Sequence, residues 1–245
     1  MKKMINEITQ FIQDYFKTSK AKGAVIGMSG GKDSFVSAAL CAKALSKEKV
    51  LGVILPNGKM EDKQIAEQEC KYLGIDYMII DISNTTQTIV KNVKKSLKIT
   101  KLNNIASINI APRVRMTTLY SIAASMEYLV VNTSNLSETM IGYTTKWGDN
   151  VGDIAPLADL TKTEVCELGL AMGLPKEFVD KIPSDGLTGK TDEDNFGFSY
   201  KELDDYIRAK KTAKNTEKIL KLHQNSKHKR NFPEKYLSGR KNYLS

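Results

Sequence analysis

Four short apolar segments, each followed by a helical pattern, most constrain how this 245-residue chain can fold. They predict strands at 22–29, 49–56, 75–81 and 127–133. Their apolar residues are almost continuous, which is typical of strands buried on both faces of a sheet. Helices are predicted between and after them, at 33–47, 61–73, 84–97 and 108–126. This alternation predicts an α/β fold: a doubly wound parallel sheet with helices on both faces.

The flanking segments add helices and one long polar loop. Apolar residues recur at helical spacing near the N-terminus, which indicates an amphipathic helix and not a secretory leader. These residues are Ile5, Ile8, Ile12 and Tyr15. Further along, we predict helices over 160–173 and 199–211, and a loop over 183–198 that is rich in Gly, Ser, Thr and Asp.

Length and composition bound the class of protein. One hydrophobic core grows to roughly 250–300 residues before a chain divides, so we expect a single domain over residues 1–245. No apolar run approaches the ~18 residues of a membrane span, and we expect a cytoplasmic protein with no membrane partner. Three scattered cysteines (Cys41, Cys70 and Cys166) indicate neither a disulfide framework nor a cysteine zinc site.

The net charge of +9 favours an anionic partner, and a polyphosphate or a nucleic acid would each fit it. The basic residues are scattered, apart from 226–230 and 239–242 near the C-terminus. We see no aromatic-studded basic strip of the kind that single-strand binders use. Much of the charge is therefore also consistent with a solvated surface.

The first predicted strand leads into a glycine-rich turn with the sequence GMSGGKDS. Free backbone N–H groups and the dipole at the start of the next helix favour an anion there, and glycine lets the backbone approach it closely. Asp33 would repel a phosphate unless a bridging Mg²⁺ binds both groups. The turn therefore predicts a site for a metal-bound polyphosphate, with an ordinary tight turn as the alternative. It comprises Gly27, Met28, Ser29, Gly30, Gly31, Lys32, Asp33 and Ser34.

The fourth predicted strand ends in a second set of polar residues. Thr133 lies at its carboxyl end, where parallel sheets form their ligand crevice, and Glu138 follows at the possible start of a helix. An acidic residue there would also simply complement the helix dipole. Lys146, Asp149 and Asp153 share one glycine-bearing segment, which a solvated turn would equally explain.

Several motifs in one order resemble the ammonia-dependent NAD synthetases over nearly the whole chain. They are the GMSGGKDS turn and the segments at 111–116, 141–165, 182–187, 192–193, 199–207 and 227–230. The resemblance implies an adenine nucleotide alpha hydrolase-like fold and the final step of NAD biosynthesis. In that step ATP drives the amidation of deamido-NAD by ammonia, through an adenylated intermediate, to give NAD, AMP and pyrophosphate. It also implies a homodimer with the substrate site at the subunit interface, and no nucleic acid partner.

The resemblance also implies roles for individual residues. Asp33 and Glu138 would hold Mg²⁺, and with Lys32 they would act in catalysis. Asp149 would lie near the incoming ammonia and accept its proton. ATP would contact the turn from Gly27 to Ser34 together with Thr133, Lys162 and Ser184. Deamido-NAD would contact Arg113, Lys146, Asp153, His228 and Lys229.

This sequence departs from the family pattern in four places. Lys32 replaces a glutamine, and the residues between Thr133 and Glu138 differ from the frequent form. Ser184 stands for a threonine and is followed by Asp185 where alanine is usual, and Ile54 stands where an arginine often precedes the turn after the second strand. These departures leave the hydroxyl and metal roles intact but alter contacts around the nucleotide.

Length also bears on the source of nitrogen. A glutamine-using enzyme needs an amidase domain of on the order of 150 more residues, so we expect no glutaminase domain here. The glycine-bearing loop at 184–198 is a candidate lid over the adenylate, with a surface loop as its alternative.

Two other functions stay open at this point. A tRNA-modifying enzyme of the same ATP-loop class would fit the net charge, although many thiolating relatives carry paired cysteines that this chain lacks. A nucleotide-binding regulatory protein without turnover would keep the glycine turn, but it would need neither Glu138 nor Lys146.

Overall fold

A four-stranded parallel sheet forms the centre of the protein in the structure, a computed structural model. The structure describes residues 1–58, 62–180, 191–209, 212, 214–234 and 236. The strands are β1 (Gly23–Gly27), β2 (Val50–Ile54), β3 (Asp76–Ile79) and β4 (Tyr128–Val131). All four predicted strands and the doubly wound fold are confirmed.

The strand order β3-β2-β1-β4 places β1 between two partners that are far apart in sequence. Val25 of β1 lies opposite Leu51 of β2 and Val130 of β4. The chain therefore winds outward from β1 to β3 and then returns to the other side of β1. In open parallel sheets, such a switch in winding direction opens a ligand crevice at the carboxyl ends of the two strands.

Helices surround the sheet, and their bounds follow the chain. The first half contains α1 (Lys2–Ser19), α2 (Lys32–Leu45), α3 (Lys63–Leu73), α4 (Ser83–Leu97), α5 (Asn104–Ile108) and α6 (Ile110–Met126). The second half contains α7 (Leu136–Ile141), α8 (Lys162–Ala171), α9 (Lys176–Val179), α10 (Asp192–Phe196), α11 (Tyr200–Ile207), α12 (Thr216–Asn225) and α13 (Lys227–Arg230).

Side chains from successive residues of β1 pack on opposite faces of the sheet. Ala24 and Ile26 join one core with α1, α2, α3 and α8, whereas Val25 joins a second core with α6 and with Ile82, the residue before α4. All three side chains are fully buried. Burial on both faces explains why β1 and β2 are continuous apolar runs that do not alternate with polar residues. The prediction of such burial was wrong for the edge strand β3, whose side chains are half-buried or exposed.

The predicted helix at 108–126 is α6, which begins at Ile110, directly after the short helix α5. Asn103 caps α5 by accepting a hydrogen bond from the Ala106 N–H. Pro112 has no N–H to donate to Ile108, so it fits the first turn of a new helix better than the middle of a continuous one. The predicted helix is therefore confirmed apart from its first two residues.

A third apolar cluster joins the C-terminal helices to α7. It contains Ile141, Phe196, Phe198, Tyr200, Leu203 and Ile219. The prediction of a loop over 183–198 was wrong at 192–196, where Thr191 caps the short helix α10 and Phe196 anchors it in this cluster. Residues 181–190 of that prediction, including Ser184, lie outside the described residues.

Among the described residues, no helix combines the length and the apolar character that a membrane span requires.

Gly142, at the end of α7, is required both by its backbone and by close packing. Its φ is +68°, and a Cβ there would lie 2.0 Å from the Cβ of Ser226. Gly173 has φ +80° with nothing within 4 Å of a Cβ, so it is a matched control. We expect Gly173→Ala to cost about 1–2 kcal/mol from the left-handed backbone alone. Gly142→Ala should cost about 1–3 kcal/mol more, because Ser226 must move.

Urea denaturation of both variants and of the wild-type protein measures this difference. Equal losses in the two variants would show that α7 and the C-terminal helices do not pack as closely as the structure has them.

Candidate functional site

The candidate site lies at the carboxyl ends of β1 and β4, in the crevice that the strand order opens. β1 ends at Gly27 and passes through a short turn into α2, which begins at Lys32. β4 ends at Val131, and α7 follows at Leu136. The structure therefore brings together the two polar segments that the sequence analysis considered separately.

The turn after β1 has the backbone that a phosphate site needs. Gly30 has φ +74°, and a Cβ there would lie 2.6 Å from the Asp62 carbonyl oxygen. Ser34 Oγ donates to the Gly31 carbonyl at 2.8 Å and lies 3.2 Å from Ser29 Oγ. Among the described residues no side chain caps the start of α2, because its N-cap is Gly31. The first turn of this 14-residue helix therefore directs backbone N–H groups toward the crevice.

Lys162 joins the two predicted metal ligands. Its Nζ lies 2.6 Å from Asp33 Oδ2 and 2.8 Å from Glu138 Oε1. The side chain of Lys162 is 6% exposed and those of both carboxylates are 16% exposed. Asp33, Glu138 and Lys162, the ion triad, thus converge from α2, α7 and α8.

Asn135 holds both carboxylates from the other side. Its side-chain oxygen accepts from the Glu138 N–H at 3.0 Å, and the Glu138 carboxylate accepts in return from the Asn135 N–H at 3.4 Å. Its Nδ2 also donates to Asp33 Oδ1 at 2.9 Å. Asn135 is fully buried, so one side chain both caps α7 and orients Asp33.

The position of Lys162 is set by the start of α8. Thr161 and Glu164 form a capping box around the first turn of the helix. The Lys162 N–H donates to Ser137 Oγ at 2.9 Å, and Ser137 in turn donates to the buried Asp204 carboxylate. Asp204 also accepts from the N–H and the hydroxyl of Thr163, at 2.8 and 2.6 Å.

Burial and the neighbouring charges shift the pKa values of Glu138 and Lys162. Burial raises the pKa of Glu138 to about 7, although the Lys162 ammonium acts in the opposite direction. Burial alone would lower the pKa of Lys162, but the charges of Asp33 and Glu138 outweigh it and raise that pKa. The lysine therefore stays cationic, whereas the charge of Glu138 changes near neutral pH.

Lys32 does not join the ion triad. It is buried, and its Nζ donates to Cys166 Sγ at 3.4 Å. Burial raises the pKa of the Cys166 thiol, although the Lys32 charge opposes this. The predicted point charge for phosphate is thus directed away from the carboxylates and into the space between α2 and α8.

Asp149 lies in the segment between α7 and α8. Its Oδ1 accepts from the Thr145 N–H at 2.6 Å, and its carbonyl accepts from Asn132 Nδ2 at 3.2 Å. The residue keeps exposed surface, while nearby protein atoms desolvate its carboxylate and raise its pKa. Asn132 directly precedes Thr133, so Asp149 is tied to the carboxyl end of β4.

Arg113 and Lys146 are neighbours, whereas Asp153 serves the fold. Arg113 Nε donates to the Lys146 carbonyl at 3.2 Å, and Lys146 Nζ lies 5.3 Å from the centre of the Trp147 ring. Asp153 Oδ2 accepts from the Val130 N–H at 2.8 Å, which ties this segment to β4. Asp153 was predicted to contact the substrate, but its carboxylate already accepts this structural hydrogen bond.

The C-terminal residues meet the segment that carries Asp149. Lys229 Nζ donates to the carbonyls of Gly142 and Thr144, each at 2.7 Å, while His228 is exposed on α13. His223 of α12 packs against the end of α7. It is half-buried, with Nδ1 2.7 Å from the Met140 carbonyl.

Four residues near the site carried no role in the sequence analysis: Asn135, Tyr200, Asp204 and Arg115. The Tyr200 ring lies 5.0 Å from Lys162 Nζ, and its hydroxyl donates to Asp192 at 2.9 Å. Arg115 donates to the Leu55 carbonyl at the end of β2. Only Asn135 had a readable signal, because Asn followed three positions later by Glu is a capping pattern. The others depend on contacts across the fold.

Comparison with known proteins adds independent evidence. A family model described as NAD synthase matches residues 4–233. A protein of Thermococcus sibiricus named NH(3)-dependent NAD(+) synthetase is 44% identical over 206 residues, which are 84% of this chain and 79% of that protein. A Finegoldia magna protein of the same name is 38% identical over 98% of both chains.

A solved structure is also similar over nearly the full length. The structure titled NMN synthetase from Francisella tularensis has a TM-score of 0.87 and 34% identity, and it covers 96% of this chain and 98% of its own. The tRNA-modifying and non-catalytic alternatives find no support among these matches.

The pKa of Glu138 makes stability depend on pH. Its ordinary value is 4.5 and burial raises it to about 7, so the folded protein holds a proton that the unfolded chain releases between these values. Stability should therefore fall as pH rises through this window, by up to about 1.4 kcal/mol per pH unit from this group. Urea denaturation in EDTA at pH 5, 6, 7 and 8 measures the slope.

Glu138→Gln should remove this contribution. Glu217→Gln, on the exposed surface of α12, is the matched control and should keep the wild-type dependence. If Glu138→Gln had the wild-type slope, then Glu138 would not hold the extra proton.

Proposed function

Since this chain belongs to the NAD synthase family, we propose that its crevice catalyses the ATP-dependent amidation of deamido-NAD. Ammonia supplies the nitrogen, and NAD, AMP and pyrophosphate are the products. The protein is an ammonia-dependent ligase of NAD biosynthesis, as are the relatives whose names carry that activity.

One observation carries the assignment of the site: the buried ion triad lies beside an uncapped helix start. The turn from Gly27 to Ser34 supplies backbone donors for phosphate oxygens. Asp33 and Glu138 supply carboxylates directly next to it. Thr133 lies in the same crevice and would add a hydroxyl for ATP, with Ser184 proposed from the sequence alone.

The carboxylates of Asp33 and Glu138 are suitable ligands for a Mg²⁺ ion that is bound together with a polyphosphate. Asp33 and Glu138 each direct one oxygen toward a shared cation, the Lys162 ammonium. Mg²⁺ is commonly bound by one or two carboxylates plus substrate phosphates and water. Among the described residues no cluster of three or more metal-ligating side chains occurs, so phosphates would complete the coordination. Bound there, Mg²⁺ would neutralise phosphate charge and stabilise the departing pyrophosphate.

The first chemical step joins two anions. The nicotinate carboxylate oxygen attacks the α-phosphorus, and the bond from that phosphorus to the pyrophosphate oxygen breaks. Two unit charges 4 Å apart repel by about 4 kcal/mol at an effective dielectric near 20. Lys162 and the N–H groups of the turn would offset repulsion of this size, which corresponds to about three powers of ten in rate.

The second step replaces AMP by ammonia. Ammonia attacks the carbonyl carbon of the adenylate, the carbon–oxygen bond to AMP breaks, and one proton must leave the nitrogen. We assign Asp149 to hold the ammonia and accept that proton. Its raised pKa and its attachment to the end of β4 support this role.

Basic residues around the crevice suit the dinucleotide. Arg113 and Lys146 lie together, and Lys229 packs on the same segment of chain. Arginine pairs with carboxylates and phosphates through two parallel hydrogen bonds, and lysine acts as a point charge. We propose that these three residues and His228 contact deamido-NAD. Asp153 would support them indirectly, because it ties the segment between α7 and α8 to β4.

A second candidate substrate is nicotinate mononucleotide. The solved structure with a TM-score of 0.87 is titled as a synthetase for the mononucleotide NMN. The amidation chemistry would be the same, because the nicotinate carboxylate is common to both substrates. The assay below therefore offers both.

The activity test uses purified protein with ATP, Mg²⁺, ammonium and either deamido-NAD or nicotinate mononucleotide. We expect NAD and AMP in equal amounts from deamido-NAD, with kcat/KM at least about tenfold above that for the mononucleotide. Asp33→Asn should abolish both products, because the metal and phosphate site loses a charge. Chromatographic quantification of NAD, NMN and AMP measures the outcome.

Asp149→Asn separates the two steps. It should lower amide formation more than pyrophosphate release, and equal losses would contradict its role. Lys176→Met, an exposed residue on α9, serves as the control. If only the mononucleotide is converted, then nicotinate mononucleotide is the substrate. If neither substrate gives an amide, the proposed function is wrong.

We also propose a homodimer with the substrate site at its interface, and an exposed apolar surface on α4 and α5 supports it. Ile89, Val93 and Leu97 follow one another at intervals of four residues on α4 and are 37%, 36% and 62% exposed. Ile105 and Ile108 of α5 are 72% and 39% exposed. A second copy would cover this surface.

Val93→Glu combined with Leu97→Glu should therefore give a monomer, because the charges would have to be buried in the interface. Leu170→Glu, at a 44% exposed position of α8, is the control and should stay dimeric. Sedimentation velocity measures the state of each protein. A monomeric wild type would contradict the proposed homodimer, and a dimeric double variant would place its interface elsewhere.

The remaining parts of the proposal concern organisation and location. We propose that residues 1–245 act as one synthetase domain that takes free ammonia. The alignment with relatives named for ammonia supports this. We propose a cytoplasmic location, where ATP is supplied.

A further inference from the structure

Lys162 occupies the position between Asp33 and Glu138 that a cation would take. Its Nζ contacts one oxygen of each carboxylate, at 2.6 and 2.8 Å. Asn135 donates to the other oxygen of each carboxylate, from Nδ2 to Asp33 and from its backbone N–H to Glu138. All four carboxylate oxygens therefore accept a hydrogen bond from the protein itself.

The position of Lys162 is fixed by the surrounding fold. It is the first residue of α8, and its N–H is held by Ser137, which Asp204 orients. The Tyr200 ring lies 5.0 Å from the ammonium. The side chain is 6% exposed, so water contributes little to stabilising its charge.

We propose that Lys162 is the resident counter-ion of the two carboxylates and keeps free divalent cations from binding to them. Metal then enters only with ATP, whose phosphates receive the displaced ammonium. This inference rests on the proposed function for the identity of the nucleotide. The contacts of Lys162 with Asp33 and Glu138, on which it depends, are a property of the folded chain alone.

The charges explain why nucleotide is required. The two carboxylates and the ammonium sum to one net negative charge when all three are ionised. A divalent ion arriving alone would be repelled by the ammonium, and displacing that ammonium without a new anion would leave it buried and unpaired. An arriving ATP brings several negative charges, so the ammonium exchanges a carboxylate partner for a phosphate partner.

The test measures Mn²⁺ binding in the absence of nucleotide, using the electron paramagnetic resonance signal of free Mn²⁺. For the wild-type protein, we expect no site with a Kd below about 1 mM. Lys162→Met should bind one Mn²⁺ roughly tenfold or more tightly, because the like charge is gone and two carboxylates remain. Adding Glu138→Gln to this variant should abolish the new site.

Lys32→Met is the matched control. Lys32 is also a buried lysine, it lies next to Asp33 in sequence, and its Nζ contacts Cys166 and neither carboxylate. It should bind free Mn²⁺ as weakly as the wild type does. If Lys162→Met failed to fold by circular dichroism, Lys162→Gln would replace it, since an amide can still donate to one carboxylate.

Two results would overturn the proposal. One is a nucleotide-free wild type that binds Mn²⁺ below about 1 mM at a site lost in Asp33→Asn. The other is a folded Lys162 variant that binds Mn²⁺ no better than the wild type. Neither result depends on amide formation, so a failure here and a failure of the proposed function are read from different assays.

Discussion

The buried ion triad is the interaction on which the arrangement of this protein most depends. Lys162 and Asp33 are 129 residues apart, yet the Lys162 ammonium is enclosed between Asp33 and Glu138. Removing one member of a buried ion pair typically costs about 3–5 kcal/mol, because the remaining charge is left without a partner. The starts of α2, α7 and α8 must therefore meet, and the place where they meet is the crevice between β1 and β4.

A second set of contacts extends this order to the C-terminal helices. Arg230 donates to the carbonyls of Thr139, Met140 and His223, and Lys229 donates to those of Gly142 and Thr144. Asn150 returns a hydrogen bond to the Lys229 carbonyl. These cations hold the end of α7 and the segment bearing Asp149 through backbone oxygens. The basic C-terminal motif thus supports the geometry of the site even before any phosphate is considered.

The departures from the family pattern acquire physical meaning in the structure. The segment between Thr133 and Glu138 differs from the frequent form, and within it Asn135 both caps α7 and donates to Asp33. Lys32 replaces a glutamine and is directed onto Cys166, so the added charge does not enter the ion triad. This chain therefore keeps the two carboxylates and organises them through its own neighbours.

Local patterns were enough to predict the sheet, the glycine turn and most of the helices. Val25, Leu51 and Val130 had to be apolar because both faces of the sheet are covered, and Gly30 had to be glycine because its φ is positive and Asp62 lies against it. The glycine turn itself pointed to Asp33, whereas the identification of Glu138 and Lys162 as site residues needed the family resemblance as well.

The tertiary structure alone decided which charges contact one another. No periodicity joins Lys162 to Asp33, or Asp204 to Ser137, because these contacts cross between helices that are remote in sequence. The helix at 192–196 also depends on tertiary contacts. Its polar sequence is typical of a loop, and the burial of Phe196 in the third apolar cluster stabilises it as a helix. Backbone preference and burial are encoded residue by residue, whereas the pairing of buried charges depends on the whole fold being closed around them.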